Sequence, residues 1–186
     1  GTYTVTATNT STGCSASDQV VVSSNIVPPN ANAGSDTSLT CAVSSVTLTA
    51  GSTTAGTTFI WSNGTAGANN PVSVPATYTV TVTDNNNGCT ASDVVTVSSN
   101  TISPNANAGA DAALTCSATT VMLSATSTSP AVNYLWSNGT NTSNTIVNSA
   151  NTYTVTVTDL SNGCTASDQV TVSSNTIAPN VNAGSD

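Results

Sequence analysis

The sequence contains no lysine, arginine, histidine or glutamate. Its side-chain charge comes from eight aspartates alone, giving a net charge of −8 over 186 residues. Without a cationic side chain it has nothing to hold nucleic acid phosphates or an anionic membrane surface, which excludes both partner classes. The missing lysines also exclude Lys–Asn isopeptide crosslinks, and with arginine absent too trypsin finds no cleavage site. Without histidine or lysine a serine or threonine nucleophile has no ordinary base, and no paired carboxylates stand out across an apolar pocket, so no enzyme is expected. The lack of histidine and of any Cys-x-x-Cys pair argues against zinc. No apolar run approaches the roughly 20 residues of a membrane span, so no membrane insertion is expected in this segment, and no signal peptide is visible.

Low charge with abundant serine, threonine and asparagine is compatible with disorder, but the β-branched residues are patterned. In Tyr78-Thr-Val-Thr-Val-Thr-Asp84, Tyr78, Val80 and Val82 alternate with Thr79, Thr81 and Thr83, the period of a half-buried strand. Asn85-Asn-Asn-Gly-Cys89 supplies residues that tolerate positive φ, so the chain turns and returns through Val94–Val97 with Val95 and Val97 facing in. The same hairpin stands at Tyr3 to Val22 and at Tyr153 to Val172.

This recurrence has a fixed period. Cys14, Cys89 and Cys164 are 75 residues apart, as are Cys41 and Cys116, Trp61 and Trp136, and Asp36, Asp111 and Asp186. Residues 26–100 and 101–175 align without a gap. Residues 1–25 read as the C-terminal part of an earlier copy and 176–186 as the start of a further one, so the chain is expected to be an excerpt of a longer polypeptide. The joins fall at Ser98–Asn100 and Thr101–Asn105, with an expected spacing of about two to four residues between strands and prolines at 28, 29, 104 and 179 to stiffen them.

Within 26–100 about seven strands are expected. The first runs near Ala31–Thr40 and is interrupted at Gly34; Val46, Leu48 and Ala50 alternate inward on the second; Phe59-Ile-Trp61 is the third; short strands near Pro71–Val74 lead into the hairpin. Trp61 and Trp136, with Tyr78 and Tyr153, are the expected core residues. Several short strands in a 75-residue unit, without helical periodicity, predict an all-β fold: tandem two-sheet sandwiches of immunoglobulin type. Strands of about 7–9 residues plus turns predict an advance on the order of 35–45 Å per copy.

Ala-Gly-x-Asp in the first strand, Trp-Ser-Asn-Gly in the middle, then Thr-Tyr-Thr-Val-Thr-Val-Thr-Asp and Asn-Gly-Cys-Thr together resemble the PKD-like and immunoglobulin-like repeats of bacterial surface proteins. The resemblance covers the whole chain and is nearest to the repeats of large secreted adhesins and gliding-associated proteins of Bacteroidota. It implies a β-sandwich exported to the cell surface in long arrays. One departure from the family is Asn63 in the central turn, where aspartates are usual.

Candidate chemistry is sparse. Asp84 and Asp93 flank the hairpin turn and recur as Asp159 and Asp168, with Asn9 and Asp18 in the first hairpin. Oxygen ligands so placed are the Ca²⁺ candidates, against a plainer reading in which they bond turn backbone and end strands. No other cofactor is expected. Trp61 and Trp136 are weighed as sugar-stacking platforms against core packing, and their expected place in mid-strand between apolar neighbours favours the core. Asn9, Asn63, Asn138 and Asn141 match the glycosylation acceptor pattern, which is frequent by chance in so Asn- and Thr-rich a chain.

The five cysteines, Cys14, Cys41, Cys89, Cys116 and Cys164, predict disulfides and an oxidising compartment. Counting favours bonds within a copy, Cys41–Cys89 and Cys116–Cys164, leaving Cys14 for a partner before Gly1. Geometry favours another arrangement. In such a sandwich Cys41 follows the first strand and Cys89 lies between the last two, at opposite ends of strands about 20–25 Å long, whereas a disulfide needs Cα atoms within about 7 Å. In a head-to-tail array a Cys41–Cys164 bond would instead staple neighbouring copies. Both pairings stay open here, and oxidation of every cysteine is expected in the intact polymer.

The functional expectation is an extracellular structural segment at a cell surface: a rigid spacer in a stalk or fibre, whose partners are neighbouring repeats and, in a filament, other copies. The alternatives are a repeated binding module gaining avidity by repetition and a self-assembling sheath. The copies differ mostly in the loop at Gly51–Thr58 against Thr126–Asn133, where no aromatic falls before residue 134, and that favours the spacer.

Overall fold

A computed structural model describes residues 1–182 and 184. The alternating segments form fourteen strands among the described residues: β1 (Thr2–Thr8), β2 (Ser15–Val21), β3 (Thr37–Thr40), β4 (Val46–Thr49), β5 (Thr57–Trp61), β6 (Asn69–Val72), β7 (Ala76–Asp84), β8 (Thr90–Asn100), β9 (Ala112–Thr115), β10 (Val121–Ser124), β11 (Val132–Trp136), β12 (Asn144–Val147), β13 (Asn151–Asp159) and β14 (Thr165–Asn175). β1 and β2 pair alone as a hairpin; the other strands form two four-stranded sheets, β3-β8-β7-β5 and β9-β14-β13-β11, and two ribbons, β4-β6 and β10-β12.

Residues 101–175 illustrate how the pattern becomes a sandwich. In β13 the valines and Tyr153 turn inward while Thr154, Thr156 and Thr158 are half-exposed, as period-2 alternation requires. Val155 and Val157, with Val170 and Val172 of β14, form one core with Trp136, Leu114, Leu123, Ala125 and Val147, so the four-stranded sheet and the ribbon share a single apolar interior. The Tyr153 hydroxyl donates back to Ser149 O at 3.0 Å, four residues upstream, satisfying its polar end at the sandwich corner.

The first strand changes sheets. Asn107 bridges Thr126 beside β10, whereas β9 runs parallel to β14 with Ala112 opposite Val172. The crossing requires Gly109, whose φ is +85°; a Cβ there would stand 3.2 Å from Ser124 O. An aspartate pins each side of the kink: Asp168 Oδ2 accepts from Ala108 N at 2.8 Å, and Asp111 Oδ1 from Thr171 N at 2.8 Å. A strand that leaves one sheet to pair in parallel with the last strand of the other, a buried tryptophan on the third strand and a tyrosine corner make this an immunoglobulin-like sandwich.

The 75-residue register is repeated in the backbone of 26–100. Asn32 bridges Gly51, and β3 runs parallel to β8 with Thr37 opposite Val97. Asp93 accepts from Ala33 N, and Asp36 from Thr96 N. Near the chain end Gly184 N donates to Asn182 Oδ1, as Gly34 and Gly109 do to Asn32 and Asn107; Asp186 lies outside the described residues.

The compact units of the chain do not follow that register. One comprises Gly1–Ser35, Thr47–Asn70 and Thr77–Val95; the other comprises Asp36–Val46, Pro71–Ala76 and Thr96–Asp186. The second therefore unites one end of 26–100 with the whole of 101–175. In the first, the β1–β2 hairpin keeps its strand register, Thr2 opposite Val21 through Thr8 opposite Ser15, but not its burial. Tyr3 is 62% exposed, whereas Tyr78 and Tyr153, at the same place in their copies, are buried.

Four local expectations are corrected. Ser98–Asn100 belong to β8, so the join begins at Thr101 and extends to the bridge at Asn107, longer than two to four residues. The strand near Pro71–Val74 is β6 at Asn69–Val72; Pro71 fits because the ribbon offers it an edge. Six named strands and two isolated bridges, rather than seven strands, make up 26–100: the first strand is split at its kink into the Asn32–Gly51 bridge and β3, and Ile60 bridges Ala66. Trp61 and Trp136 end their strands instead of standing in the middle.

Candidate functional site: the joint between copies

Two tight turns and one strand end build the joint. After β13, Asp159 begins a turn closed by Gly163 N donating to Asp159 O at 2.8 Å, with Gly163 at φ +70°. This presents Asn162, Gly163 and Cys164 to the segment that follows β3, Cys41-Ala42. Cys41 and Cys164 form a disulfide with their Cα atoms 4.9 Å apart. Of the two pairings open in the sequence, this is the one between copies; Cys14, Cys89 and Cys116 are thiols, so Cys41–Cys89 and Cys116–Cys164 are not formed.

The disulfide is embedded in polar contacts. Ala42 N donates to Asn162 O at 3.2 Å, a backbone link beside the S–S bond. Asn162 Nδ2 donates to Asn100 Oδ1 at 3.2 Å and Ile102 O at 2.9 Å, while its Oδ1 accepts from Cys164 N at 2.8 Å. One buried amide thus ties the turn, the end of β14's counterpart β8 and the linker together. Gly163 admits the approach: a Cβ there would lie 2.6 Å from Ala42 Cβ.

The preceding copy repeats half of this arrangement. Asn87 Nδ2 donates to Asn25 Oδ1 at 3.3 Å and Val27 O at 3.0 Å, and its Oδ1 accepts from Cys89 N at 2.8 Å. Burial of the turn cysteine follows the company it keeps: Cys14 is exposed, Cys89 half-buried, and disulfide-bonded Cys164 only 1% exposed. Asn87 and Asn162 escaped the sequence reading as joint residues. Their signal was available: Asn85-Asn86 become Leu160-Ser161 in the next copy while the asparagine two residues before cysteine stays.

The carboxylates proposed for Ca²⁺ are dispersed. Asp84 Oδ1 accepts from Asn86 N and Nδ2, and Asp159 Oδ1 from Ser161 N and Oγ. Asp93 and Asp168 hold the kinked first strands. Asp168 pairs with Val155, four residues along β13 from Asp159, about 13 Å up the ladder. The structure thus does not bring Asp159 and Asp168 into one ligand set, and no group of three acidic or sulfur ligands forms among the described residues.

Hydrogen bonds lower three of these pKa values. For Asp93 the donor is chiefly Ala33 N–H, then Val94 N–H; for Asp168, Ala108 N–H, then Gln169 N–H; for Asp159, the Ser161 hydroxyl, then its N–H.

The tryptophans are 2% and 1% exposed, leaving no indole face for a sugar. Trp61 Nε1 donates to Gly67 O and Trp136 Nε1 to Thr142 O, both at 3.1 Å, so each ring is satisfied from inside. Of the glycosylation-pattern asparagines, Asn63 and Asn138 hold their turns: each Nδ2 donates across the turn, to Asn70 and Thr145, and each Oδ1 accepts from Thr65 N and Thr140 N. Asn9 caps its own turn through Ser11 N and Thr12 N, and Asn141 is exposed.

No family model and no curated protein matches the chain. Among solved structures it is similar to three N-terminal domains of the bacteriophage RB49 outer capsid protein Hoc, at 18% identity and TM-score 0.45 over 79% of this chain and 58% of that one. Three immunoglobulin domains of titin match at 13% identity and TM-score 0.41, over 82% of this chain and 67% of theirs. Fibronectin(III)-like modules of Clostridium thermocellum CbhA match at 10% and 0.36, over 77% and 90%. The chain spans 58% of the Hoc fragment's length.

Proposed function

We propose that this chain is a spacer segment of an extracellular bacterial surface adhesin or filament, made of sandwich repeats at 26–100 and 101–175. The observation that carries the reading is the covalent joint. A disulfide between copies, set among backbone and asparagine bonds, resists swinging and separation, which a stalk needs and an independent binding domain does not. An oxidising environment outside the cytoplasm suits that bond. The copies are rich in Thr, Ser and Asn and carry no cationic side chain, which suits an inert surface along a fibre; they differ where 101–175 exposes Met122, Ile146 and Leu160 in the places of Thr47, Pro71 and Asn85. Its partners in this reading are neighbouring repeats, and we assign it no cofactor and no catalytic step.

Removing two copies from the parent protein should shorten its reach by two steps while attachment survives. Attachment that declines in proportion to the copies removed, or a purified pair of copies that binds the target surface by itself, would make the repeats the adhesive and overturn the spacer.

A further inference from the structure

The end of 101–175 displays an open version of the receptor that Cys164 occupies one copy earlier. Cys116 and Ser117 stand in the places of Cys41 and Ala42, and Asn175 and Ile177 in those of Asn100 and Ile102. All four are exposed. Beside them lies a hollow of about 260 Å³ bordered by Leu114, Thr115, Thr119, Asn148 and Ser174. The matching donor is also present unpaired: Cys89, on a turn whose Asn87 already bonds Asn25 and Val27 as Asn162 bonds Asn100 and Ile102. The asparagine contacts therefore form at both joints, and the sulfur bond forms at the one where both cysteines are in the chain.

We infer that the Cys116 rim is the docking site for the Asn-Gly-Cys turn of a further 75-residue copy, closed by a disulfide to that copy's turn cysteine. This stands on the geometry of the joint and is independent of the spacer reading. Formation requires a disulfide oxidant such as oxidised glutathione. One thiolate attacks a sulfur of the oxidant, breaking its S–S bond and releasing one thiol; the second thiolate displaces the other half. Two protein thiols lose two protons and two electrons, one S–S bond replaces another, and two small thiols leave.

Such bonds overlap. Each closes a loop of 123 residues, longer than the 75-residue period, so successive loops interlock along the chain. The shortest covalent route passes through alternate staples, and two periods less one loop leave 27 residues outside it. At ~3.5 Å per residue those 27 residues reach about 95 Å when fully extended. Two folded copies already span on the order of 70–90 Å by strand length. Unfolding every module would lengthen the array very little: the staples make it a cable and not a spring.

The test lengthens the full chain by two further copies of 101–175, continued in register, and oxidises it with oxidised glutathione. Non-reducing peptide mapping should find Cys116 joined to the cysteine 123 residues on, with Cys116 closed to alkylation. Pulled from its ends, the oxidised chain should show a limiting length about one quarter of that after reduction. The internal Cys41–Cys164 bond reports folding in the same molecule. If it forms while Cys116 remains alkylatable, pairs within its own copy, or links to Cys116 of a second chain, the proposal is overturned. A limiting length shortened by one loop only would overturn the overlapping cable.

Discussion

Asn70 is the residue at which the two copies differ most sharply in cost. It is fully buried and its Oδ1 accepts from Asn63 Nδ2, but its own Nδ2 has no partner. The next copy places Thr145 there, which takes both the Asn138 amide and the Thr140 hydroxyl. Asn70→Thr should therefore stabilise the protein, by about 1–3 kcal/mol, the usual cost of a buried unsatisfied group; chemical denaturation measures it, and a loss of stability would refute the comparison. Asp93, Asp159 and Asp168 give the pH dependence. Their folded pKa values are lowered, so the stability they contribute is full above the unfolded carboxylate value and is lost as pH falls through the folded values. With no histidine to titrate, the unfolding midpoint should be flat from about pH 5 to about pH 7 and decline below about pH 4. Replacing Asp93 and Asp168 together by Asn should shallow that acid limb.

At the scale of elements, the turn between β13 and β14 does two jobs while the turn between β7 and β8 does one and a half. Gly88 and Gly163 share a positive φ, so alanine costs each the same backbone strain, on the order of 1 kcal/mol. Only at Gly163 does the new Cβ also meet Ala42, at 2.6 Å. Gly163→Ala should consequently slow formation of the Cys41–Cys164 bond severalfold, and Gly88→Ala should leave it unchanged; timed alkylation during oxidative refolding reads both. Equal effects would mean that the joint does not depend on this approach. Sheet pairing was legible in the alternation of Tyr153, Val155 and Val157, because a side-chain period of two is a local property of strands. The kink was legible as an interruption at Gly34. Its cause was not, since Asp93 and Ala33 are 60 residues apart in sequence.

For the whole molecule the decisive quantity is the 123-residue loop. Closing so long a loop lowers the entropy of the unfolded chain, and its reduction should cost on the order of 4–5 kcal/mol in the chain-entropy view. Thermal unfolding with and without reductant checks this, with trypsin useless as a probe because no site exists. An unchanged midpoint would show that the bond adds nothing to the fold.

What the sequence determined by itself was whatever is local or repeated. Its period, its all-β class, its buried tryptophans and its want of cationic chemistry follow from residue types and their spacing. Tertiary structure decided the contacts between distant segments: Cys164 chose Cys41 over Cys116, Asn162 reached Asn100 and Ile102, and the proposed carboxylate ligands went to separate backbone donors. Two cysteines at a fixed spacing are the same string whether they pair within a copy or across a joint. Only the fold sets which strand ends stand within the few ångströms that a disulfide spans, because strand length keeps the two ends of one sandwich apart while the joint brings the ends of two together.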